Sequence, residues 1–145
     1  MHSPVGDLTL FEDDGAIVAL EWGWGSIQEP SPLLTSAKAA LDAYFDGGPW
    51  PDTLPLKPHG TPYQQKIWAA LRTIPAGQTR SYAQIAAQAG GSARSVGGAN
   101  AANPIPILIP CHRVLGAQGL GGYSGGEGLP TKRHLLDLET RTTDQ

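Results

Sequence analysis

Two side chains capable of nucleophilic chemistry stand next to each other in this chain, Cys111 and His112. Cys111 is the only cysteine among 145 residues, and Arg113 follows the pair directly. The thiolate is the reactive form of cysteine, and a nearby histidine and cation favour it. A lone cysteine is more often an inert buried group. The pattern therefore indicates a nucleophilic thiol, with an inert buried thiol as the alternative.

The residues before the cysteine indicate how it is held. The apolar run 107–109 lies between Pro106 and Pro110. Prolines exclude such a run from a central sheet ladder, so we expect a buried extended segment. Neighbouring residues of an extended chain point to opposite faces. Cys111 and His112 therefore either lie on a turn or communicate through a bridging water.

Length and composition limit the classes of protein that this chain can be. A chain of 145 residues with 40% hydrophobic content suits one domain, or two small lobes that share a core. No apolar run is long enough to span a membrane and no signal pattern opens the chain, so a soluble protein is expected that is cytoplasmic, or nuclear if the source has a nucleus. The lone cysteine excludes an internal disulfide. No Cys/His cluster has the spacing of zinc ligands, so neither a structural metal nor another cofactor is expected.

Charge is distributed unevenly along the chain. Residues 1–56 carry one lysine against nine acids, a balance of −8, whereas residues 57–145 carry nine basic residues against four acids, a balance of +5. No acid occurs between Thr53 and Gly126, a stretch that contains six basic residues. Such a surface suits a phosphate backbone, although chance clustering would give the same pattern.

The first part of the chain predicts a small lobe of strands and one helix. Apolar runs at 8–11 and 16–22 flank an Asp-Gly pair, which is a signal for an antiparallel hairpin. Apolar residues then recur with helical spacing over 33–45. Five prolines between residues 49 and 62 form a stiff connector. We therefore divide the chain into an N-terminal supporting lobe with its connector, residues 1–58, and a second domain, residues 59–145.

The second domain is expected to be mainly helical. Thr61 and Ser81 each begin a capping box, and a further helix begins at Ser92 after the turn at Gly90-Gly91. Two short helices joined by such a turn are typical of a helix-turn-helix that presents its second helix to DNA, although helix hairpins also serve as plain packing units. The chain thus predicts an α+β fold, with a small antiparallel sheet and one helix followed by a mainly α-helical lobe.

The second helix of this pair, near residues 93–101, is unusual for a core helix. It has one large apolar residue, Val96, and two adjacent glycines, Gly97 and Gly98, each of which costs about 1 kcal/mol relative to alanine. Small residues allow another body to approach closely, either a neighbouring helix or a nucleic-acid groove. Arg94 lies in the first turn, where recognition helices place contacts.

Several of these pieces, in this order, carry a resemblance to a known family. They are Ser81-Tyr82, Ala93 to Ala99, Asn103-Pro104, Ile107 to Val114 with its Pro-Cys-His-Arg-Val element, Tyr123 to Gly126, and Lys132 followed by Leu135, Leu136 and Glu139. The chain resembles the O6-alkylguanine-DNA alkyltransferases, or methylated-DNA–protein-cysteine methyltransferases. The resemblance implies a winged-helix-like second domain and a monomer that binds double-stranded DNA containing O6-alkylguanine. It also implies no metal, no membrane association, and a place in the nucleoid of a prokaryote.

The implied reaction is DNA repair by a single-turnover transfer of an alkyl group, such as methyl, to Cys111. The group comes from guanine O6, or from O4 of thymine, after the nucleotide has been flipped out. His112 would take the thiol proton through a water, and Glu139 would hold the productive tautomer of His112. Asn103 would fix the turn before the cysteine, while Tyr82 would rotate the nucleotide and hydrogen-bond the base.

Helical spacing supports the assignment of Glu139 independently. Leu135, Leu138 and Glu139 stand at positions that share one face of a helix. If the leucines point inward, the carboxylate does too, and it then needs a partner such as His112. The alternative is an exposed, fraying glutamate.

The resemblance also implies two sets of binding residues. The DNA-facing set is led by Arg94, which would fill the gap left in the base stack. With it come Tyr82, Ser92, Ala93, Ser95, Gly98 and Arg113. The substrate pocket would be formed by Val114, whose main chain faces the exocyclic amine, and by Tyr123, Ser124 and Gly125, with the Ser124 backbone near O6.

Two other functions remain as alternatives, and the chain also differs from the family pattern in two places. A lesion-binding relative would hold alkylated guanine without transfer, but such proteins lack the cysteine. A helix-turn-helix regulator with a structural cysteine would need a dimerisation helix, which is not evident. The N-terminal lobe is short and acidic and lacks the cysteines that hold zinc in some members, so no function is carried over to it. Asn100 stands where bulkier residues occur, which affects how the helix meets the groove.

Overall fold

The computed structural model describes residues 1–25, 30–116, 119, 121–123, 125, 126 and 128–143. A hairpin and one helix come first and a set of short helices follows, which confirms the α+β fold expected from the sequence. In chain order the elements are β1 (Leu8–Asp13), β2 (Ala16–Trp22), α1 (Pro32–Phe45), α2 (Pro62–Leu71), β3 (Arg80–Ser81), α3 (Tyr82–Ala89), α4 (Ala93–Ala101), a 3-10 turn (Cys111–Arg113), β4 (Val114–Leu115) and α5 (Leu129–Thr143).

The hairpin forms as the Asp-Gly pair predicts. β1 and β2 are antiparallel, with Leu8 opposite Trp22. Asp14 and Gly15 have φ of 51° and 78°, the left-handed conformation that a two-residue hairpin turn requires at both central positions. α1 then covers the sheet, and Ser31 caps it by accepting a hydrogen bond from the Leu34 N–H at 3.0 Å. The N-terminal lobe is therefore a hairpin with one helix packed against it.

The proline-rich connector is attached to the hairpin. The Ile17 N–H donates to the Pro55 carbonyl, and the Lys57 N–H donates to the Ile17 carbonyl, each at 2.9 Å. One apolar core then runs through both lobes, from Leu8 and Leu41 in the first to Leu135 in α5. The boundary read from the prolines marks a change in composition, and the two lobes share a core across it.

Local capping signals place the starts of the helices in the second lobe. Thr61, Ser81 and Ser92 each cap a helix with a reciprocal capping box, so α2, α3 and α4 begin where the sequence predicts. α3 ends at Ala89, before the glycine turn. The Trp68 indole N–H donates to the Ala99 carbonyl at 2.8 Å and fixes α4 against α2. The helix pair predicted from the sequence is thus present and anchored.

The segment before Cys111 is buried as predicted, but the prediction that it is extended was wrong. It forms a tight turn in which the Ile109 N–H donates to the Ile105 carbonyl at 2.8 Å and Ile107 has a φ of 73°. A β-branched residue rarely adopts this conformation, which persists only where surrounding contacts impose it. Asn103 imposes it, since its side chain accepts from the Ile105 N–H at 2.9 Å and donates to the Ile109 carbonyl at 2.8 Å.

Trp50 braces the same turn from the connector. Its indole N–H donates to the Ile107 carbonyl at 2.9 Å, and the guanidinium carbon of Arg113 lies 4.3 Å from the centroid of its ring. Trp50→Phe would keep an aromatic ring over Arg113 but leave the buried carbonyl without this donor. We expect the free energy of unfolding to fall by about 1 to 3 kcal/mol, measured by urea denaturation.

The matched control is Trp24→Phe, since Trp24 is 53% exposed. This control should change stability by no more than about 0.5 kcal/mol. Equal losses in the two variants would show that Trp50 does not support the turn through its hydrogen bond.

Candidate active site

Cys111 lies in the wall of a cavity of about 650 Å³. The cavity is bounded by the turn that precedes the cysteine, by the helix pair and by the end of β2. Cys111 itself is 5% exposed. Lining side chains that bear on the chemistry are Trp22, Tyr82, Asn100, Asn103 and Tyr123. The thiol is therefore held inside the protein, yet it borders a space large enough for a small organic group.

A single 3-10 turn joins Cys111, His112 and Arg113, with the Arg113 N–H donating to the Pro110 carbonyl at 3.0 Å. Of the two arrangements expected for neighbouring Cys and His, the structure thus shows the turn. Burial raises the pKa of the Cys111 thiol, against the hydrogen bond of Asn103 and the charge of Lys132. The thiol form prevails at neutral pH, and a nucleophilic role requires a base nearby.

A buried carboxylate binds both residues that follow the cysteine. Glu139 is 1% exposed. Its Oε2 lies 2.8 Å from His112 Nε2 and accepts from Arg113 Nη2 at 2.7 Å, while its Oε1 accepts from Arg113 Nε at 2.9 Å. Leu135 and Leu138 are buried on the same face of α5, which confirms the inward placement expected from helical spacing. The predicted pairing of Glu139 with His112 is therefore present.

The charge on Glu139 decides the tautomer of His112. Burial alone would raise the pKa of Glu139, but the hydrogen bonds from His112 and Arg113 outweigh it and hold the pKa at about 2. An ionised carboxylate only accepts hydrogen bonds, so Nε2 of His112 carries the hydrogen and Nδ1 is the basic nitrogen. Burial lowers the pKa of His112, so the ring is neutral at pH 7. Within the described part of the chain, Nδ1 has no hydrogen-bond partner.

Two side chains that support this site had been given no role there from the sequence, although Lys132 was among the residues that carry the family resemblance. Tyr44, read only as part of the apolar face of α1, donates its hydroxyl hydrogen to Glu139 Oε2 at 2.7 Å. Lys132 donates from Nζ to the carbonyls of Val114 at 2.7 Å and Gly122 at 3.1 Å, and burial lowers its pKa to about 8. A tyrosine on a buried helix face needs a partner for its hydroxyl, which is the one signal that pointed to Tyr44.

Most of the residues predicted to face DNA lie on one exposed surface. Ser92, Ala93, Arg94, Ser95 and Gly98 are exposed at the start and outer face of α4, and Tyr82 is half-buried beside the cavity. A Cβ built at Gly97 or Gly98 would meet no atom within 4 Å. Small residues on a helix can allow close approach of either a neighbouring helix or a nucleic acid. Among the described residues, no neighbouring helix packs against Gly97 or Gly98. This face of α4 is open.

The prediction that Arg113 contacts DNA was wrong. Its side chain is 0% exposed, and its guanidinium donates to both oxygens of Glu139 and, from Nη1, to the Ile74 carbonyl at 2.7 Å. Its charge had been counted with the other basic residues of the acid-free stretch 53–126. Because Glu139 of α5 supplies its counter-charge, Arg113 is a core residue.

The structure also shows where the residues predicted for the pocket, and Asn100 of α4, are placed. Val114 is buried and is not among the lining residues, and its carbonyl accepts from Lys132, so the structure does not place it in the pocket. Asn100 points inward and donates to the Cys111 carbonyl at 3.3 Å, so it is not on the groove side of α4. Tyr123 and Gly125 do line the cavity, whereas Ser124 lies outside the described residues.

A helix-turn-helix lies beside a cavity that Cys111 lines, and the next residue, His112, is buried against the carboxylate of Glu139. This combination indicates a DNA-binding protein with a nucleophilic cysteine. Family comparisons agree. The DNA-binding domain of 6-O-methylguanine DNA methyltransferase matches residues 62–141, and the ribonuclease-like domain of the same family matches residues 1–58. The chain therefore belongs to the 6-O-methylguanine DNA methyltransferase family.

Individual relatives match over nearly the whole chain. The methylated-DNA–protein-cysteine methyltransferase of Mycobacterium leprae is 45% identical over 96% of this chain and 89% of its own length. The constitutive enzyme of that name from Bacillus subtilis is 40% identical, over 95% of this chain and 92% of its own. The crystal structure of Mycobacterium tuberculosis OGT in complex with DNA superposes with a TM-score of 0.87 at 44% identity, covering 98% of this chain and 91% of that one.

Two further features are absent from the described residues. None of the helices there has the length and apolarity needed to cross a membrane. In the same residues, no group of three or more His, Cys, Asp or Glu side chains is arranged to hold a metal ion.

The buried carboxylate makes a prediction about stability and pH. The pKa of Glu139 is about 2 in the folded protein against an ordinary value of 4.5, so its stabilising contribution is present above pH 4.5 and is lost as the pH falls towards 2. Glu139→Gln leaves Arg113 buried without its counter-charge, which should lower the free energy of unfolding by about 3 to 5 kcal/mol at pH 7. Urea denaturation at pH 7 and at pH 2.5 should show a smaller difference from wild type at the lower pH.

Asp137→Asn is the control, because Asp137 is exposed on the same helix. It should leave both the stability and its pH dependence as in wild type. A Glu139→Gln deficit of the same size at both pH values would contradict the role given to the ionised carboxylate.

Proposed function

We propose that this protein repairs alkylated DNA by transferring an alkyl group from O6 of guanine to the sulfur of Cys111. The observation that carries the proposal is the buried Cys111 in the wall of a cavity, next to a neutral His112 whose tautomer Glu139 sets. The family to which the chain belongs, and relatives named as methyltransferases that act on methylated DNA and protein cysteine, support the same reaction. No cofactor is required.

The proposed transfer balances without any further reactant. The thiol proton passes through a water to His112 Nδ1, and the Cys111 sulfur forms a bond to the alkyl carbon while the bond from that carbon to O6 breaks. The electron pair stays on the base, which takes up a proton through the Tyr82 hydroxyl and leaves as neutral guanine. The proton that His112 received returns to water, so one proton leaves Cys111 and one is gained by the base. Burial raises the pKa of Tyr82, so its hydroxyl remains a donor to the base in this step.

Because the thioether has no internal route back to the thiol, each molecule acts once. The carbon–sulfur bond of a thioether is not cleaved by thiol–disulfide exchange, and the chain has no second cysteine that could serve as another acceptor. The product of the reaction is therefore the repaired base together with an alkylated protein.

The approach to DNA is proposed for the exposed face of α4. Ser92, Ala93, Ser95 and Gly98 offer small groups that let the helix lie close to a groove, and Arg94 projects from its first turn. A base inside a duplex cannot reach a buried thiol, so the target nucleotide is rotated into the cavity and Arg94 occupies the space that it leaves. The acid-free stretch from Thr53 to Gly126 supports binding to the phosphates. We propose that the protein binds DNA as a monomer.

The proposal predicts a gain in protein mass. Wild-type protein mixed with a duplex containing one O6-methylguanine should gain the mass of one methyl group, located on Cys111 by peptide mapping. Cys111→Ser should gain none while still binding the duplex. A parallel duplex with O4-methylthymine shows whether the second base is also a substrate.

The outcomes separate the alternatives. Binding without any gain in wild type would favour a lesion-binding protein and reject the transfer. Transfer to the Cys111→Ser variant would reject Cys111 as the acceptor.

A second prediction concerns Arg94. Arg94→Ala should slow repair of duplex DNA by about tenfold or more, because filling a vacated stack offsets an unstacking cost of a few kcal/mol. Reaction with free O6-methylguanine base, which needs no flipping, should be unchanged. Single-turnover rates on the two substrates provide the comparison.

Arg72→Ala is the matched control, since Arg72 is an exposed arginine of the same acid-free stretch that lies outside α4. Arg72→Ala should weaken binding to the duplex and make the affinity less dependent on salt, as the loss of one phosphate contact does. It should not slow the chemical step on either substrate. Equal losses of Arg94→Ala on duplex and free base would remove Arg94 from the flipping step.

A further inference from the structure

One wall of the cavity that holds Cys111 comes from the N-terminal lobe. The last part of β2, Ala19 to Trp22, lines the cavity. The Leu20 N–H donates to the Pro104 carbonyl at 2.9 Å, which fixes this strand beside the turn that precedes the cysteine. A lobe that sequence reasoning treated only as support therefore forms part of the pocket.

Trp22 is the side chain through which this wall meets the opposite loop. A Cβ built on Gly125 would lie 2.6 Å from Trp22 Nε1 and 2.7 Å from Cε2 and Cζ2, so the edge of the indole rests on the Gly125 α-carbon. Gly125 does not have a left-handed φ, so a glycine is needed here for space and not for conformation. The indole therefore extends from β2 and packs against the loop that carries Tyr123.

The other two large aromatic side chains of the cavity have a different relation to the thiol. Burial raises the pKa of both Tyr82 and Tyr123, and the neighbouring Cys111 raises each further. Both tyrosines line the cavity together with Cys111, and their hydroxyls stay protonated and can donate hydrogen bonds there. Trp22 bounds the same cavity with an apolar surface, so its contribution is to shape.

We propose that Trp22 is a specificity-determining residue, which limits the size of the alkyl group that can be carried to Cys111. The inference rests on the proposed alkyl transfer and adds to it the class of substrate, namely small O6-alkyl groups in preference to bulky ones such as benzyl. An O6 substituent much larger than methyl has to share the cavity with the indole. In hydrophobic pockets, one methylene too many changes the rate by about 10- to 200-fold.

The test compares two substrates on one set of variants. Single-turnover rates are measured with the same duplex carrying either O6-methylguanine or O6-benzylguanine, for wild type, Trp22→Ala and Trp22→Phe. Trp22→Ala should raise the ratio of the benzyl rate to the methyl rate by about tenfold or more, and Trp22→Phe, which retains a smaller ring, should raise it by less. The control is Trp24→Ala, two residues further along the chain, because Trp24 is exposed and does not line the cavity.

Each result decides for or against Trp22. A ratio that stays at the wild-type value in both Trp22 variants overturns the inference, and so does an equal slowing on both substrates, which would mean that the indole only supports the fold. If Trp22→Ala does not fold, as judged by circular dichroism, the ratio for Trp22→Phe decides alone. Wild type that transfers neither group would instead reject the proposed function, so the two failures are distinguishable.

Discussion

The structure depends on one buried carboxylate. Glu139 accepts hydrogen bonds from Tyr44, His112 and twice from Arg113, so three parts of the chain meet at two oxygen atoms. Removing such a charge from water is costly unless every partner is in place, and any one partner left alone in the core would be costly as well. The network therefore holds only when α1, the turn that bears the cysteine and α5 are all docked. Shared burial around this carboxylate unites the two lobes, and Trp50 of the connector adds a further contact to the same turn.

The same constraint explains how a poorly ionised thiol can act as a nucleophile. The core raises the pKa of Cys111, which protects it from casual reaction, and also lowers the pKa of His112, which keeps that ring available as a base. The ionised Glu139 then directs the basic nitrogen of His112 away from itself. Burial alone would make the Cys111 thiol inert, so its reactivity depends on the neighbouring His112 and Glu139. The shape of the cavity determines which molecules can reach the thiol.

Sequence reasoning succeeded where the determinants are local. The capping residues Thr61, Ser81 and Ser92 fixed helix starts, and the spacing of Leu138 and Glu139 placed the carboxylate inside. It failed where the determinant is a distant partner. Arg113 was assigned to the surface because its counter-charge lies 26 residues away, and Tyr44 was overlooked because its partner lies 95 residues away. The left-handed Ile107 was missed although Asn103, which had been expected to fix a turn before the cysteine, lies only a few residues away. The second support of that turn, Trp50, is a distant partner that lies 57 residues away.

The position of Glu139 in the chain also sets an order of events on the ribosome. His112 is synthesised before Glu139, which follows it 27 residues later. In the interval, Arg113 has no counter-charge and the imidazole has no carboxylate to choose its tautomer, so the cysteine turn cannot be buried in its final form. Until α5 docks, the cysteine turn therefore lacks the contacts that enclose its thiol in the folded protein, and the docking of α5 completes the enclosed site. For a molecule that reacts only once, a side reaction of the thiol before α5 has docked would inactivate the protein.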